Sequence, residues 1–369
     1  MNTYIPLQDP NIKVHGRVPA AQPLALFWTG SGIELNTDAS ELHIELEADF
    51  GDYEPWIRIE INGFSLIRMP LQKGASDICV FRGMESRTVK NVRLIKETQP
   101  VGRDPQTYLR ILSVKADGAL LPIADKKYKL EFVGDSITAG EGLGGARGLG
   151  DWVSSVFTTE GHYALQTAAA LGADYRLIAQ GGWGAHCGWD NDPGHAMPLV
   201  YPHICSVLDS GISRELGSCE ENDFTAWQPD AVIVNLGCND SSAFNEPAWT
   251  DPETGETYKM RMNGDGSYNE EDIQKFCGSV YSFLKLIRSL NPHAFIIWAY
   301  GMIGQGLAPY IENTVNSYIY ETGDSRAAFC LLPDLKEEWI GAREHPGRGS
   351  HAAAAKALTL KLEEVLNRK

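Results

Sequence analysis

The chain has 369 residues, of which 43% are hydrophobic and 22% are charged. This length favours two domains, and this composition excludes intrinsic disorder and collagen-like repeats. Acidic residues outnumber basic ones 48 to 32, which gives a formal net charge of −16. A surface this negative repels phosphate backbones and anionic lipids, so we expect neither a nucleic-acid partner nor a membrane partner.

The N-terminal residues contain no basic leader followed by an apolar run, and no apolar stretch is long enough to cross a bilayer. Seven cysteines form no closely spaced pairs, which is typical of reduced thiols in the cytoplasm. The sequence therefore predicts a cytoplasmic protein. No residue spacing matches a known metal-ligand signature, so we expect no metal, and we also expect no cofactor. It leaves open whether the chain forms a homo-oligomer.

The first third of the chain is predicted to be β-structure. Short runs of alternating or β-branched residues recur at 23–28, 41–47, 56–61, 64–69, 77–81, 89–95 and 107–114. Asn62 and Gly63 lie between two of these runs, and this dipeptide suits a tight hairpin because both central residues take positive φ. Helical periodicity is absent here, so we predict an all-β sandwich of the jelly-roll type over residues 1–122.

Strands that alternate with helices are predicted for the rest of the chain. Five candidate strands lie at 128–133, 175–179, 231–236, 294–300 and 327–332. The clearest helix spans 270–290 with Asn269 as its N-cap, and a further helix is predicted over 352–366. The pattern predicts an α/β domain of three layers over residues 123–369, with a five-stranded parallel sheet. The boundary between the domains is expected within 117–127.

Residues that can take part in catalysis follow several of these strands. Ligands of parallel α/β sheets bind beyond the carboxyl ends of the strands. Gly134 and Asp135 follow the first strand and leave Ser136 at the start of a helix, where backbone N–H groups are unspent. Gly182 follows the second strand and Asn239 the third, and each can donate a hydrogen bond to an oxyanion.

Two histidines, His345 and His351, precede or open the last predicted helix. Taken in chain order, the strand ends supply a nucleophile, two kinds of oxyanion donor and a general base. Acyl transfer requires these roles, so the sequence indicates a hydrolase with a serine nucleophile.

Four motifs resemble the blocks of the SGNH (GDSL-type) hydrolases: Gly-Asp-Ser at 134–136, Gly182, Gly-x-Asn-Asp at 237–240 and His-Pro at 345–346. The β-rich N-terminal region, the run Trp-Ala-Tyr-Gly-Met-Ile-Gly at 298–304 and the His-Pro…His ending make the chain most similar to the second carbohydrate esterase family. This resemblance implies a jelly-roll domain followed by an SGNH domain, and the removal of acetyl groups from xylan and related sugars.

The resemblance also implies roles for individual residues. Ser136 would be the nucleophile, His345 the general base, and the N–H groups of Ser136 and Gly182 would hold the oxyanion together with the Asn239 side chain. Trp298, at the end of the fourth strand, is a candidate for stacking on a sugar ring.

His345 and His351 compete for the role of base. We expect His345, because Pro346 restricts it to extended backbone, whereas the dipole of the last helix would disfavour an imidazolium at His351 behind an N-cap at Ser350. His351 is then expected to brace the loop.

The group that orients the base stays open at this point. SGNH hydrolases usually carry an aspartate two or three residues before the catalytic histidine, but Arg343 and Ala342 occupy those positions here. The resemblance implies that some members use a backbone carbonyl instead. The carbonyl of Arg343 and the carboxylates of Asp334 and Glu338 are the candidates.

Three other functions deserve comparison with the esterase. A metal hydrolase would use the polar cluster His186, Asp190, His195 and His203, although its spacing matches no known ligand signature. A carbohydrate-binding protein without catalysis would leave the four blocks unexplained. A lipase or thioesterase of the same fold would need room for a long acyl chain, whereas Trp183 and Trp298 are expected to crowd the acyl pocket and favour acetyl esters.

Overall fold

The computed structural model describes residues 3–20 and 22–367, and it divides the chain into two compact units. The first unit comprises Met1–Lys126, Trp152–Thr159 and His203–Asn222, and the second comprises Lys127–Asp151, Glu160–Pro202 and Asp223–Lys369. The first border lies four residues beyond the predicted division at 122/123. The contiguous division into 1–122 and 123–369 needs correction, because two later segments of the chain belong to the first unit.

The strands of the described residues are, in chain order, β1 (Thr3–Ile5), β2 (Ile12–His15), β3 (Leu24–Ala25), β4 (Gly32–Thr37), β5 (Glu41–Asp49), β6 (Trp56–Ile61), β7 (Phe64–Pro70), β8 (Gly74–Arg82), β9 (Lys90–Lys96), β10 (Tyr108–Ala116), β11 (Leu120–Leu121), β12 (Tyr128–Gly134), β13 (Ala173–Ala179), β14 (Ala231–Asn235), β15 (Trp249–Thr250), β16 (Thr257–Tyr258), β17 (Phe295–Tyr300) and β18 (Ala327–Leu331). Strands β1 to β11 belong to the first unit and β12 to β18 to the second.

The helices in the same part of the chain are α1 (Ser136–Ala139), α2 (Tyr163–Leu171), α3 (Met197–Val200), α4 (Gly211–Glu215), α5 (Cys238–Ala243), α6 (Glu270–Leu290), α7 (Ala308–Thr322) and α8 (Arg348–Leu366). Short 3₁₀ turns occur at Ser154–Val156, Glu337–Trp339 and Ala342–Glu344. None of the described helices is both long and apolar enough to span a bilayer.

The first unit is built from two antiparallel sheets. One has the order β1-β10-β5-β8 with β3 also paired to β10, and the other has the order β11-β4-β9-β6-β7 with β2 also paired to β4. Alternate residues of β5 are buried, as a strand with one face against a core requires. Leu42 and Ile44 of β5 share one apolar cluster with Ile57 and Ile59 of β6 in the other sheet. The two sheets therefore pack face to face.

Two stretches of the first unit test the predicted strands. Asn62 and Gly63 both have positive φ, 53° and 80°, so the predicted hairpin turn joins β6 and β7. The apolar run at 23–28 forms only the two-residue strand β3. Strands β1, β2, β4 and β11 were absent from the prediction.

The second unit contains the predicted five-stranded parallel sheet, in the order β13-β12-β14-β17-β18. Successive side chains of a strand point to opposite faces. On β17, Ile297 and Ala299 share a core with residues of α2 and α8, whereas the ring of Trp298 packs edge-on against Phe283 of α6. Helices therefore cover both faces of the sheet, which gives the three layers.

The sequence predicted the first residue of α6 correctly but not that of α8. Helix α6 spans the predicted residues, and the Asn269 side chain accepts a hydrogen bond from the Asp272 N–H at its start. Helix α8 begins at Arg348 with Gly347 as its N-cap, so the expectation that Ser350 caps this helix is wrong. Ser350 lies inside the first turn and is buried.

Candidate active site

Three neighbouring strands of the parallel sheet, β13, β12 and β14, end side by side. Gly134, the last residue of β12, pairs with Ala179 of β13 and with Asn235 of β14. Ser136, Gly182 and Asn239 follow these three strand ends within a few residues. The sheet therefore brings the three predicted residues to one edge, where α/β proteins bind their ligands.

Ser136 is presented by a tight turn from β12 into α1. A side chain at position 134 would place its Cβ 2.0 Å from the Thr138 Oγ1 atom, so only glycine allows this approach. The Asp135 carboxylate caps α1 by accepting a hydrogen bond of 3.0 Å from the Ile137 N–H. As the first residue of the helix, Ser136 keeps its own N–H free of intrahelical bonding.

His345 lies within hydrogen-bonding distance of Ser136. Its Nε2 atom is 2.9 Å from the Ser136 Oγ atom, and its Nδ1 atom is 2.8 Å from the Arg343 carbonyl oxygen. A carbonyl oxygen only accepts, so Nδ1 carries the proton and Nε2 is left to accept from the serine hydroxyl. This is the protonation state that a general base for a serine nucleophile needs.

The backbone carbonyl of Arg343 is thus the group that faces the ring of His345. Of the other candidates, Asp334 accepts hydrogen bonds from the Gly304 and Leu335 N–H groups instead. Among the described residues, no hydrogen bond or ion pair joins the ring of His345 to Asp334 or to Glu338, so of the three candidates the structure places the carbonyl at Nδ1.

The predicted oxyanion donors are linked to one another. The Asn239 side-chain amide donates a hydrogen bond of 2.9 Å to the carbonyl of Trp183, the residue that follows Gly182. The N–H groups of Ser136 and Gly182 donate no hydrogen bond to any described residue. Unspent donors at one strand edge are what a developing oxyanion requires.

A buried carboxylate fixes the loop that carries Gly182. Asp240, next to Asn239 in α5, accepts hydrogen bonds from the N–H groups of Ala185, His186 and Cys187 at 2.9, 2.7 and 3.2 Å. Its side chain is fully buried. The donors from β13 and from β14 are therefore held by one network.

A second buried carboxyl lies beside the serine. Asp135 is 1% exposed, and its Oδ2 atom has no hydrogen-bond partner among the described residues. Burial, together with the nearby charges of Asp240 and Glu141, raises the pKa of Asp135 from 3.8 to about 7. The group next to the nucleophile is therefore protonated in mildly acidic solution.

Comparison with known proteins identifies the family. The chain is 43% identical to an acetyl xylan esterase (Est2A) from the rumen bacterium Butyrivibrio proteoclasticus, with 100% of this chain and 98% of that chain covered and a TM-score of 0.97. A family two carbohydrate esterase from Clostridium thermocellum, solved in complex with cellohexaose, is 24% identical over 96% of this chain and 99% of that chain, with a TM-score of 0.79. The chain belongs to the second family of carbohydrate esterases.

Two curated relatives show how much of a related protein's length this chain covers. An acetylxylan esterase / glucomannan deacetylase from Cellvibrio japonicus is 22% identical over 98% of this chain and 91% of its own length. A cellulase/esterase from Acetivibrio thermocellus is 24% identical over 97% of this chain, but the chain spans only 40% of that relative's length. No protein-family model matches the chain. The resemblance found in the sequence to family two of the SGNH-type esterases is nevertheless confirmed by the solved relatives.

His351 does not lie at the active site of this family two esterase. Its side chain is fully buried, and its Nδ1 atom accepts a hydrogen bond of 3.1 Å from the Tyr163 N–H at the start of α2. Its ring lies 5.0 Å from the ring of His162, and burial lowers the pKa of His351 well below its ordinary value. The structure therefore places His345, and not His351, within hydrogen-bonding distance of Ser136, and it packs the ring of His351 against α2.

Trp298 is also wrongly predicted as a sugar-stacking residue of the esterase. It is fully buried, and its Nε1 atom donates a hydrogen bond of 3.1 Å to the Leu236 carbonyl. The alternation of β17 turns its side chain towards α6 instead of towards the open edge of the sheet. A residue in this position can neither contact a sugar nor narrow an acyl pocket.

Trp189 was missed by the sequence analysis. The residue is 48% exposed, and its backbone N–H donates a hydrogen bond of 3.0 Å to the Gly182 carbonyl. Its Cδ1 atom lies 3.2 Å from where a side chain on Gly182 would begin. An aromatic residue in the Gly- and Asp-rich loop at 181–195 was the available signal, since tryptophan is unusual in an exposed polar loop.

The cluster considered for a metal has other contacts. The His186 ring bonds to Ser279 Oγ at 2.8 Å, and the His195 ring stacks on Trp183 with centroids 5.3 Å apart. Within residues 3–20 and 22–367, no three His, Cys, Asp or Glu side chains are grouped as metal ligands would be.

Proposed function

We propose that the chain is a serine carbohydrate esterase that removes acetyl groups from xylan or xylo-oligosaccharides through an acyl-enzyme. The observation that carries this proposal is the contact of Ser136 with His345 at 2.9 Å, with the far side of the imidazole on the Arg343 carbonyl. The 43% identity to an acetyl xylan esterase over the whole chain supports the choice of substrate.

In the first half of the reaction, the Ser136 Oγ atom attacks the acetyl carbonyl carbon and passes its proton to His345 Nε2. The carbonyl oxygen becomes an oxyanion that accepts hydrogen bonds from the Ser136 and Gly182 N–H groups and from the Asn239 amide. The Arg343 carbonyl stabilises the imidazolium by accepting its Nδ1–H. When the tetrahedral intermediate collapses, the bond to the sugar oxygen breaks and His345 returns the proton to that oxygen.

In the second half, a water molecule takes the place of the sugar. His345 accepts a proton from the water as its oxygen attacks the acetyl–Ser136 carbonyl carbon. Collapse of this second intermediate breaks the bond to Ser136 and returns the proton from His345 to the Ser136 oxygen, and the acetic acid released loses its proton to water as acetate. The neutral His345 and the serine hydroxyl are then restored.

Trp189 is our proposed contact for the sugar. Its exposed indole lies beside Gly182, and aromatic faces stack on the C–H faces of sugar rings. A net charge of −16 suits a neutral polysaccharide better than an anionic ligand. The family two relative from Clostridium thermocellum was solved with cellohexaose, which supports a carbohydrate ligand for this fold.

The first unit can be given a more specific fold. Two antiparallel sheets that share one core support our proposal that it is a jelly-roll sandwich.

Acetate release from acetylated xylo-oligosaccharides tests the proposal, with butyryl and octanoyl esters assayed in parallel and the Ser136→Ala variant as the blank. We expect acetyl esters to have the highest kcat/KM and EDTA to leave the rate unchanged. Equal kcat/KM for acetyl and octanoyl esters would make the protein a lipase or thioesterase of this fold. Binding of the oligosaccharide without any ester turnover would make it a carbohydrate-binding protein.

A further inference from the structure

Two consecutive residues before the proposed base have an unusual backbone. Arg343 and Glu344 both have a φ of 56°, in the left-handed region that residues with side chains rarely adopt. This conformation aims the Arg343 carbonyl at the Nδ1 atom of His345, 2.8 Å away. Residues in this strained conformation persist only where their surroundings hold them.

The Arg343 side chain and backbone are held at several points. Its Nε atom is 2.6 Å from the carboxylate of Glu141, whose side chain is 4% exposed. Its backbone N–H donates to the Leu149 carbonyl at 2.7 Å, and its guanidinium donates to the Gly150 carbonyl at 2.9 Å. Arg343 is therefore held through its backbone N–H and through its side chain, while its carbonyl faces His345.

Glu141 connects this anchor to the nucleophile. It lies five residues after Ser136, and its backbone N–H donates a hydrogen bond of 3.0 Å to the Ser136 carbonyl. One residue therefore contacts both the turn that presents the serine and the residue that orients the histidine.

Gly142 completes the contact between the two loops. Its carbonyl accepts a hydrogen bond of 2.9 Å from the Ala342 N–H. A side chain at position 142 would begin 2.4 Å from the Cβ of His345, and the φ of Gly142 is +79°. The turn at 141–142 therefore packs directly against the backbone of residues 342–345.

We propose that the Glu141–Arg343 ion pair is a positioning device. It holds the Arg343 carbonyl against the ring of His345, so that this carbonyl can orient the base as an aspartate side chain usually does in SGNH hydrolases. An aspartate side chain can rotate to meet the histidine, whereas a backbone carbonyl points where its residue's φ and ψ direct it. The ion pair fixes those angles by anchoring the side chain of the residue that supplies the carbonyl. This inference rests on the proposed Ser136–His345 mechanism.

A double-mutant cycle with Glu141→Gln and Arg343→Met tests the device. We expect each single variant to lower kcat by about tenfold with KM changed by less than about twofold, because the histidine is misoriented while the substrate site is intact. The double variant should be no slower than the slower single one. Arg343→Lys keeps a cation for Glu141 and should restore kcat to within about threefold of the wild type.

Arg147→Met is the matched control. It removes an ion pair with Glu337 that is 3.1 Å long and whose side chains are 53% and 79% exposed. The control should keep the wild-type kcat, and thermal melts of all variants separate misorientation from unfolding. Because Arg343 is 29% exposed, methionine is tolerable there even if the glutamine at the buried position 141 destabilises the chain.

The outcomes are separable from those of the proposed function. Wild-type kcat in Arg343→Met, an effect on KM alone, or additive losses in the double variant would overturn the inference while leaving Ser136 and His345 in their roles. If Ser136→Ala keeps its activity in the same assay, the proposed mechanism fails, and the positioning device fails with it.

Discussion

His345 and His351 lie six residues apart in one chain segment, yet the structure gives them opposite environments. His345 contacts a serine hydroxyl on one nitrogen and a backbone carbonyl on the other. His351 is fully buried between α8 and α2, where burial keeps its pKa well below the ordinary value. The difference shows that the edge of the sheet keeps polar groups available for a substrate, whereas the core behind it uses the same residue type to complete packing.

Trp189 and Trp298 repeat this contrast. Trp298 has its indole N–H bonded to the Leu236 carbonyl and no exposed surface, whereas Trp189 is 48% exposed beside Gly182. Position relative to the strand end, rather than residue type, decides which aromatic side chain is available to a ligand.

Ser136→Ala has the largest expected effect and tests whether the residue at the edge of the sheet is the nucleophile. Removal of the nucleophilic hydroxyl should lower kcat by at least about a thousandfold, since losing a triad or dyad nucleophile costs several orders of magnitude. Acetate release at substrate saturation measures it, and an unchanged melting temperature shows that the fold is intact. A variant with a tenth of the wild-type rate would show that Ser136 is not the nucleophile.

Alanine variants of the two histidines test the comparison directly. His345→Ala should lose about a thousandfold or more in kcat with little change in stability, because the ring is the proton carrier. His351→Ala should mainly lower the free energy of unfolding, by about 1–3 kcal/mol, because the Tyr163 N–H loses its acceptor in the core. Urea denaturation measures the stability of both variants, and acetate release measures their kcat. An inactive His351→Ala variant beside an active His345→Ala variant would make His351 the general base instead of His345.

Much of the second unit could be predicted because its signals are local. Parallel strands buried on both faces are nearly continuous apolar runs, so all five were found, and Asn269 marked the start of α6 correctly. Ser136, Gly182 and Asn239 were found by the same reasoning, since each directly follows a strand that ends at one edge.

The remaining features depend on contacts between distant parts of the chain. The segment Trp152–Thr159 belongs to the first unit, where the N–H of Thr159 and the hydroxyls of Thr158 and Thr159 bond to the buried Glu97. No local pattern around residue 158 indicates that partner. The burial of Trp298 likewise depends on the packing of α6, which its own strand does not encode.

Asn239→Ala tests whether the edge supplies a side-chain oxyanion donor. The variant should lower kcat by about a hundredfold with a smaller change in KM, because the donor acts mainly in the transition state. Asn313→Ala, on the exposed face of α7, is the control and should keep the wild-type rate. A change in KM alone would make Asn239 a contact for the bound substrate instead.

Asp135→Asn has the smallest expected effect on activity and tests the one buried carboxyl next to the nucleophile. Asparagine keeps an acceptor for the Ile137 N–H, so we expect kcat at pH 6 to change by no more than about threefold. Stability should change more clearly. The pKa of Asp135 is raised to about 7, so the folded chain keeps a proton that the unfolded chain releases near pH 4.

The sign of this effect is fixed by the raised pKa. The carboxyl's contribution to stability is fully present below pH 4 and is lost as the pH rises through about 7, so the wild type loses stability over that range relative to the variant. A difference of about three between the two pKa values corresponds to at most ~4 kcal/mol, so Asp135→Asn should gain up to that much at pH 7.5 and nothing at pH 4. Urea denaturation of both proteins at pH 4, 6 and 7.5 measures the gain. Asp265→Asn, in an exposed turn where a serine hydrogen bond lowers the carboxyl pKa, should show no such gain. An Asp135→Asn variant that is no more stable than the wild type at pH 7.5 would mean that the buried carboxyl is already ionised and compensated in the folded chain.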